Sequence, residues 1–82
     1  HGTAQENVKI IMQEGLKKQE RHHVHLSKNV MTALQVGSRH GRPSVLKIHS
    51  GKMHEGGYIF YISANNVWLT DFVPPEYIED DF

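Results

Sequence analysis

The residues best suited to chemistry fall in three short segments. Arg21-His22-His23-Val24-His25-Leu26-Ser27 packs imidazoles and a hydroxyl into one alternating stretch. Val36-Gly37-Ser38-Arg39-His40-Gly41 brackets a basic pair with glycines. Asn65-Asn66-Val67-Trp68-Leu69-Thr70 is an apolar strand opening from an Asn-Asn turn. Glycine lets backbone approach a ligand closely, and a guanidinium grips a phosphate through two parallel hydrogen bonds. Together the segments suit an anionic, nucleotide-like ligand held on strands rather than on a glycine-rich phosphate loop. Each also has a plainer explanation: a polar strand face, an exposed loop arginine, a tight turn.

Other chemistries fit poorly. His23 and His25, at i and i+2, could begin a zinc site. A tetrahedral centre needs three or four ligands, however, and the chain has no cysteine and no histidine spacing that completes a set, so no metal is expected. No Glu precedes the apolar strand to act as a base, and no Ser-His-Asp order is evident.

The elements that must carry these residues follow from periodicity. Val8, Ile10, Ile11, Met12 and Leu16 recur at helical spacing and Gly15 is a suitable stop, predicting a helix over 5–14. Residues 23–26 read as a strand with Val24 and Leu26 on one face and His23 and His25 on the other, toward solvent or a cleft. Ser27 then suits the cap of a second helix ending at Gly37. Strands are predicted over 45–49, 58–62 and 67–70, with a single helical turn from Ser50 through Met53 between the first two. Ser63-Ala64-Asn65-Asn66 forms a hairpin-like connection. Pro74-Pro75 closes the sheet, with Tyr77 and Ile78 packing a last turn onto it. The expected class is α+β: a small, mostly antiparallel sheet with short helices.

Eighty-two residues bound the chain to one small domain. A hydrophobic content of 38% supports a core. No apolar run is long enough to span a membrane, and the lack of cysteine fits a cytoplasmic setting. The formal net charge is zero, but Asp71, Glu76, Glu79, Asp80 and Asp81 crowd the last twelve residues without a Lys or Arg. The preceding part is therefore basic, which is compatible with a phosphate-bearing partner.

The order of the motifs is more specific than any one of them. His1-Gly2-Thr3, Glu14-Gly15-Leu16, His23-Val24-His25-Leu26-Ser27, Val36-Gly37-Ser38-Arg39-His40-Gly41, Gly57-Tyr58, Asn65-Asn66-Val67-Trp68-Leu69-Thr70 and Val73-Pro74-Pro75 follow one another along nearly the whole chain. This run resembles the C-terminal, ADP-ribosyltransferase-like lobe of the RNA 2′-phosphotransferase (KptA-type) family. The resemblance implies an NAD-dependent enzyme that removes an internal 2′-phosphate left at a tRNA splice junction. The RNA phosphate attacks the ribose anomeric carbon and expels nicotinamide. The ribose 2″-hydroxyl then attacks the phosphate, leaving dephosphorylated RNA and ADP-ribose 1″,2″-cyclic phosphate. Because the phosphate is its own nucleophile, no glutamate base is needed, and Val67 stands where related transferases place one.

By the same resemblance, Arg39 is the last arginine of the family's Arg-His-Arg-Arg set and serves the 2′-phosphate. His1, Gly2 and Thr3 correspond to the motif lining the nicotinamide and ribose side of NAD. His25 and Ser27 correspond to the second NAD-contacting motif, with His23 in support. Ser63, Asn65 and Val67 correspond to the strand beneath the ribose. Asn66 replaces the usual glycine of Asn-Gly-Val. The family's first Arg-His pair lies in an N-terminal winged-helix lobe, and its middle arginine lies upstream of His-Gly-Thr. Residues 1–82 are thus expected to be the NAD-binding lobe of a larger, monomeric two-lobed enzyme, inactive alone. Two other readings stand beside it: an ADP-ribosyltransferase acting on a nucleic-acid phosphate end or a protein, and a non-enzymatic NAD- or RNA-binding module.

Overall fold

The computed structural model describes residues 1–39 and 41–80. His40 of the glycine-bracketed turn and Asp81 of the acidic tail lie outside the described residues. In chain order the elements are β1 (Gly2–Ala4), α1 (Val8–Glu14), β2 (Leu16–Lys17), β3 (Val24–Leu26), α2 (Val30–Ser38), β4 (Pro43–Val45), β5 (Lys47–Ile48), α3 (Ser50–Glu55), β6 (Phe60–Ile62), β7 (Trp68–Thr70), β8 (Phe72–Val73) and β9 (Ile78–Glu79). Short 3-10 turns at Gln5–Asn7 and Pro75–Tyr77 precede α1 and β9. The chain is α+β, as its patterning implies.

Among the described residues the strands form four short antiparallel ladders rather than one sheet. The largest has the order β3-β7-β6, and the others pair β1 with β4, β2 with β8, and β5 with β9. Register in the three-stranded ladder aligns Leu26, Trp68 and Ile62 in one row and His25, Leu69 and Tyr61 in the next. Cross-strand partners share a face and neighbouring rows alternate, so the two rows look in opposite directions.

The core follows from these faces. Leu16, Val24, Leu26, Leu46, Met53, Val73 and Ile78 form its buried cluster, with Val8, Ile11 and Met12 of α1 packed against it at i, i+3, i+4 spacing. Gly15 ends α1 with φ +85°, its N–H donating to Ile11 O at 2.7 Å. The predicted 5–14 helix is therefore a 3-10 turn followed by α1. Thr70, almost fully buried, is satisfied by donating its hydroxyl to Ile59 O at 3.0 Å.

Two details of α2 set up the site. Its cap is Asn29, not Ser27: Asn29 is extended and its side chain accepts from Thr32 N at 2.9 Å. Ser27 is thereby left at the end of β3, free of capping duty. The helix also lies unusually close to β1. A Cβ on Gly37 would stand 2.8 Å from Thr3 O, and one on Gly2 would run into the Ala33 carbonyl. Gly2, Ala33 and Gly37 are therefore small because helix and strand backbones pack directly on one another.

Candidate functional site

His1 is positioned by the backbone. Leu46 N donates to His1 O at 2.8 Å and the His1 nitrogen donates to Leu46 O at 2.9 Å, extending the β1–β4 ladder by one pair. As an amino group that nitrogen is desolvated, which pushes its pKa below the ordinary value. An amide nitrogen at this position could make the same bond. The ring is fixed as well: Nδ1–H donates to His25 O at 2.9 Å, so Nε2 of the neutral imidazole remains as an acceptor.

Beside His1 opens a cleft of about 930 Å³, near the upper end of the range of small-molecule sites. Leu26, Leu46, Ile48, Phe60 and Trp68 provide its apolar lining. His1, Ser27, Lys28, Asn29, Lys47 and His54 provide polar groups. The first turn of α2 contributes Val30 and Ala33, so the close α2–β1 packing also shapes this wall.

The predicted site residues are not all brought together. His1 and Ser27 line the cleft together, although they adjoin strands of different ladders, β1 and β3. Gly2 and Thr3 are buried behind it, and their visible role is to let α2 approach. His25 offers its carbonyl to His1, while its own Nδ1–H donates to His23 O at 3.1 Å. The His25 side chain belongs to the row facing away from Leu26 and Trp68. His23 lies among Tyr61, at 5.0 Å between ring centroids, and Asp71, at 3.8 Å from Nε2.

Ser63, Asn65 and Val67 form a self-contained turn outside the cleft lining. Val67 N donates to Ser63 Oγ at 3.0 Å and Ser63 Oγ donates to Asn65 Oδ1. Asn66 takes φ +64°, the left-handed conformation that a glycine would occupy freely. The turn sets the start of β7 and hence the placement of Trp68. Arg39 is the exposed C-cap of α2. It lies ten residues from Asn29, about 15 Å along a helix axis, and is not part of the cleft wall. Lys28, Asn29, Lys47, His54 and Trp68 line the cleft without having been singled out as ligand contacts from sequence. Only Trp68 carried a signal, as the aromatic of a strand adjoining the Asn-Asn turn.

A family model described as RNA 2′-phosphotransferase, Tpt1 / KptA family, matches residues 1–72. Among curated relatives, a protein of Nostoc punctiforme named probable RNA 2′-phosphotransferase is 57% identical over 79 residues, covering 96% of this chain and 44% of the relative. A protein of Flavobacterium johnsoniae with the same name is also 57% identical, covering 96% of this chain and 43% of the relative. One of Rhodopirellula baltica, again so named, is 50% identical over 78 residues, 95% of this chain and 42% of the relative. The chain thus spans less than half the length of these relatives. The family match over residues 1–72, with identities of 50–57% across nearly the whole chain, shows that it belongs to the RNA 2′-phosphotransferase, Tpt1 / KptA family.

Proposed function

We propose that this chain is the NAD-binding lobe of an NAD-dependent RNA 2′-phosphotransferase. The enzyme transfers an internal tRNA splice-junction 2′-phosphate to NAD, giving ADP-ribose 1″,2″-cyclic phosphate and nicotinamide. The observation that carries the reading is the cleft in which His1 and Ser27, from two family-type motifs, meet above an apolar floor. Bound there, NAD supplies an electrophilic ribose carbon with nicotinamide as its leaving group.

The cleft fits such a ligand in size and in chemistry. His1, held by its bond to the His25 carbonyl, presents Nε2 as an acceptor for a sugar hydroxyl, and Ser27 adds a hydroxyl of its own. Trp68 and Phe60 offer apolar surface for a planar ring. Among the described residues no carboxylate lines the cleft. That suits a reaction whose nucleophile is already an anion and whose catalysis rests on positioning and cations. In this reading Arg39 holds the RNA phosphate rather than the dinucleotide, and the RNA approaches from the C-terminal end of α2. The family's remaining cations come from an N-terminal lobe and from the segment just upstream of His1, and the protein acts as a cytoplasmic monomer.

The test is release of radiolabelled 2′-phosphate from a short junction RNA with NAD present. Residues 1–82 alone should give no turnover, and supplying the N-terminal lobe should restore it, with the cyclic phosphate as product. ADP-ribose left attached to the RNA or to a protein would instead indicate an ADP-ribosyltransferase. Robust turnover by residues 1–82 alone would mean that all the catalytic cations lie among Arg21, Arg39, Arg42 and the histidines of this chain, and would overturn the assignment.

A further inference from the structure

The chain carries equal numbers of basic and acidic residues, nine Lys or Arg against nine Asp or Glu. The cleft does not share that balance. Its wall includes Lys28, Lys47, His1 and His54, and among the described residues no Asp or Glu. Lys28 leads into α2 and Lys47 lies in β5, so the two cations come from separate elements of one wall.

Neither lysine is neutralised by a carboxylate within 4.0 Å among the described residues, whereas Lys17 is held by Glu14 at 2.7 Å. Lys47 does have an acid as its cross-strand partner, Glu79. That carboxylate lies more than 4.0 Å from the Lys47 ammonium, and the nearest basic nitrogen to it is His49 Nε2, 3.3 Å from Glu79 Oε2. Both lysines are exposed residues, while Leu26 and Leu46 behind them are buried. An apolar floor beneath an unbalanced cationic wall complements a ligand with a planar apolar part and a polyanionic part. Ammonium groups on flexible stems suit a diphosphate, which offers several oxygens but no single planar face.

We propose that Lys28 and Lys47 together bind the diphosphate of the dinucleotide, while Arg39 serves another phosphate. This rests on the reading of the cleft as the NAD site and adds the residues that select the phosphorylated ligand. Both side chains are exposed, so their replacement should leave the fold intact.

Calorimetric titration of the intact protein with ADP-ribose and with adenosine tests it, using wild type, Lys28→Gln, Lys47→Gln and the double variant. Each single change should weaken ADP-ribose binding about tenfold. Adenosine binding should stay within about twofold, and the salt dependence of ADP-ribose binding should shrink in the double variant. Melting temperature should not move. A double variant that binds ADP-ribose within about twofold of wild type would overturn the proposal, as would an equal loss for adenosine and ADP-ribose. Wild type that binds neither NAD nor ADP-ribose would refute the NAD-site reading itself, a result distinct from the other two.

Discussion

Gly2→Ala is the substitution whose cost the structure fixes most tightly. An added Cβ would collide with the Ala33 carbonyl and stand 3.1 Å from Ala33 Cα. Ordinary carbon contacts are about 3.5–4.0 Å and the added Cβ would stand 2.6 Å from the Ala33 carbonyl carbon, so the helix would have to retreat by roughly 1 Å or more. Every atom in the way is backbone, and no rotamer change relieves it. Retreat of α2 would also strip contacts from the Gly37–Thr3 approach, where the clearance is already short. Overpacking typically costs about 1–3 kcal/mol, and a backbone collision belongs at the upper end. A chain of 82 residues has a total stability of about 4–12 kcal/mol, so a loss of 3 is a large share. The melting temperature should fall by about 12–24 °C. Urea unfolding followed by the emission of Trp68 should show a lower midpoint at unchanged slope. Because Ala33 lines the cleft, affinity for ADP-ribose should fall as well. A Gly2→Ala protein melting within about 2 °C of wild type would refute the packing argument.

The remaining predictions concern local geometry and the RNA site. Asn66→Val should destabilise by about 1–2 kcal/mol, since a β-branched residue resists φ +64°, whereas Asn66→Gly should be neutral within about 0.5 kcal/mol; urea midpoints decide. Asn29→Ala should cost about 1 kcal/mol through loss of the α2 cap, and Ser27→Ala should change stability little while weakening ADP-ribose binding, which paired melts and titrations separate. In the intact enzyme Arg39→Lys should slow 2′-phosphate release about thirty- to a thousandfold while NAD affinity stays within about twofold. Single-turnover rates equal to wild type would remove Arg39 from the reaction.

Local patterning reached the helices, the strands of the three-stranded ladder and β5, but not the β3–β7 pairing or β1, β2, β8 and β9. Val8, Ile11 and Met12 repeat at helical spacing and Gly15 stops them, so α1 could be anticipated within a 3-10 turn of its start. Gly2-Thr3-Ala4 has no alternation because all three residues are buried, and its partner Pro43–Val45 lies far along the chain. Nothing local marks such a strand. Ser27 and Asn29 are both good caps, and the extended backbone at Asn29 decides between them.

For the site, alternation correctly separated His23 and His25 from Val24 and Leu26. It could not say which face would border a cavity. The cleft opens on the side of Leu26 and Trp68, because β5 and α3 bring Lys47, Ile48 and His54 to that side from distant positions. Lys28 and Lys47 are ordinary in sequence, and their environment becomes unusual only when the carboxylates are found to lie elsewhere.

Amide chemical-shift mapping during titration with ADP-ribose tests directly whether the cleft beside His1 is the nucleotide site. Saturable shifts should concentrate at Ser27, Asn29, Leu46 and Trp68. Shifts centred on His23, Tyr61 and Asp71, or no saturable shifts at all, would contradict that assignment.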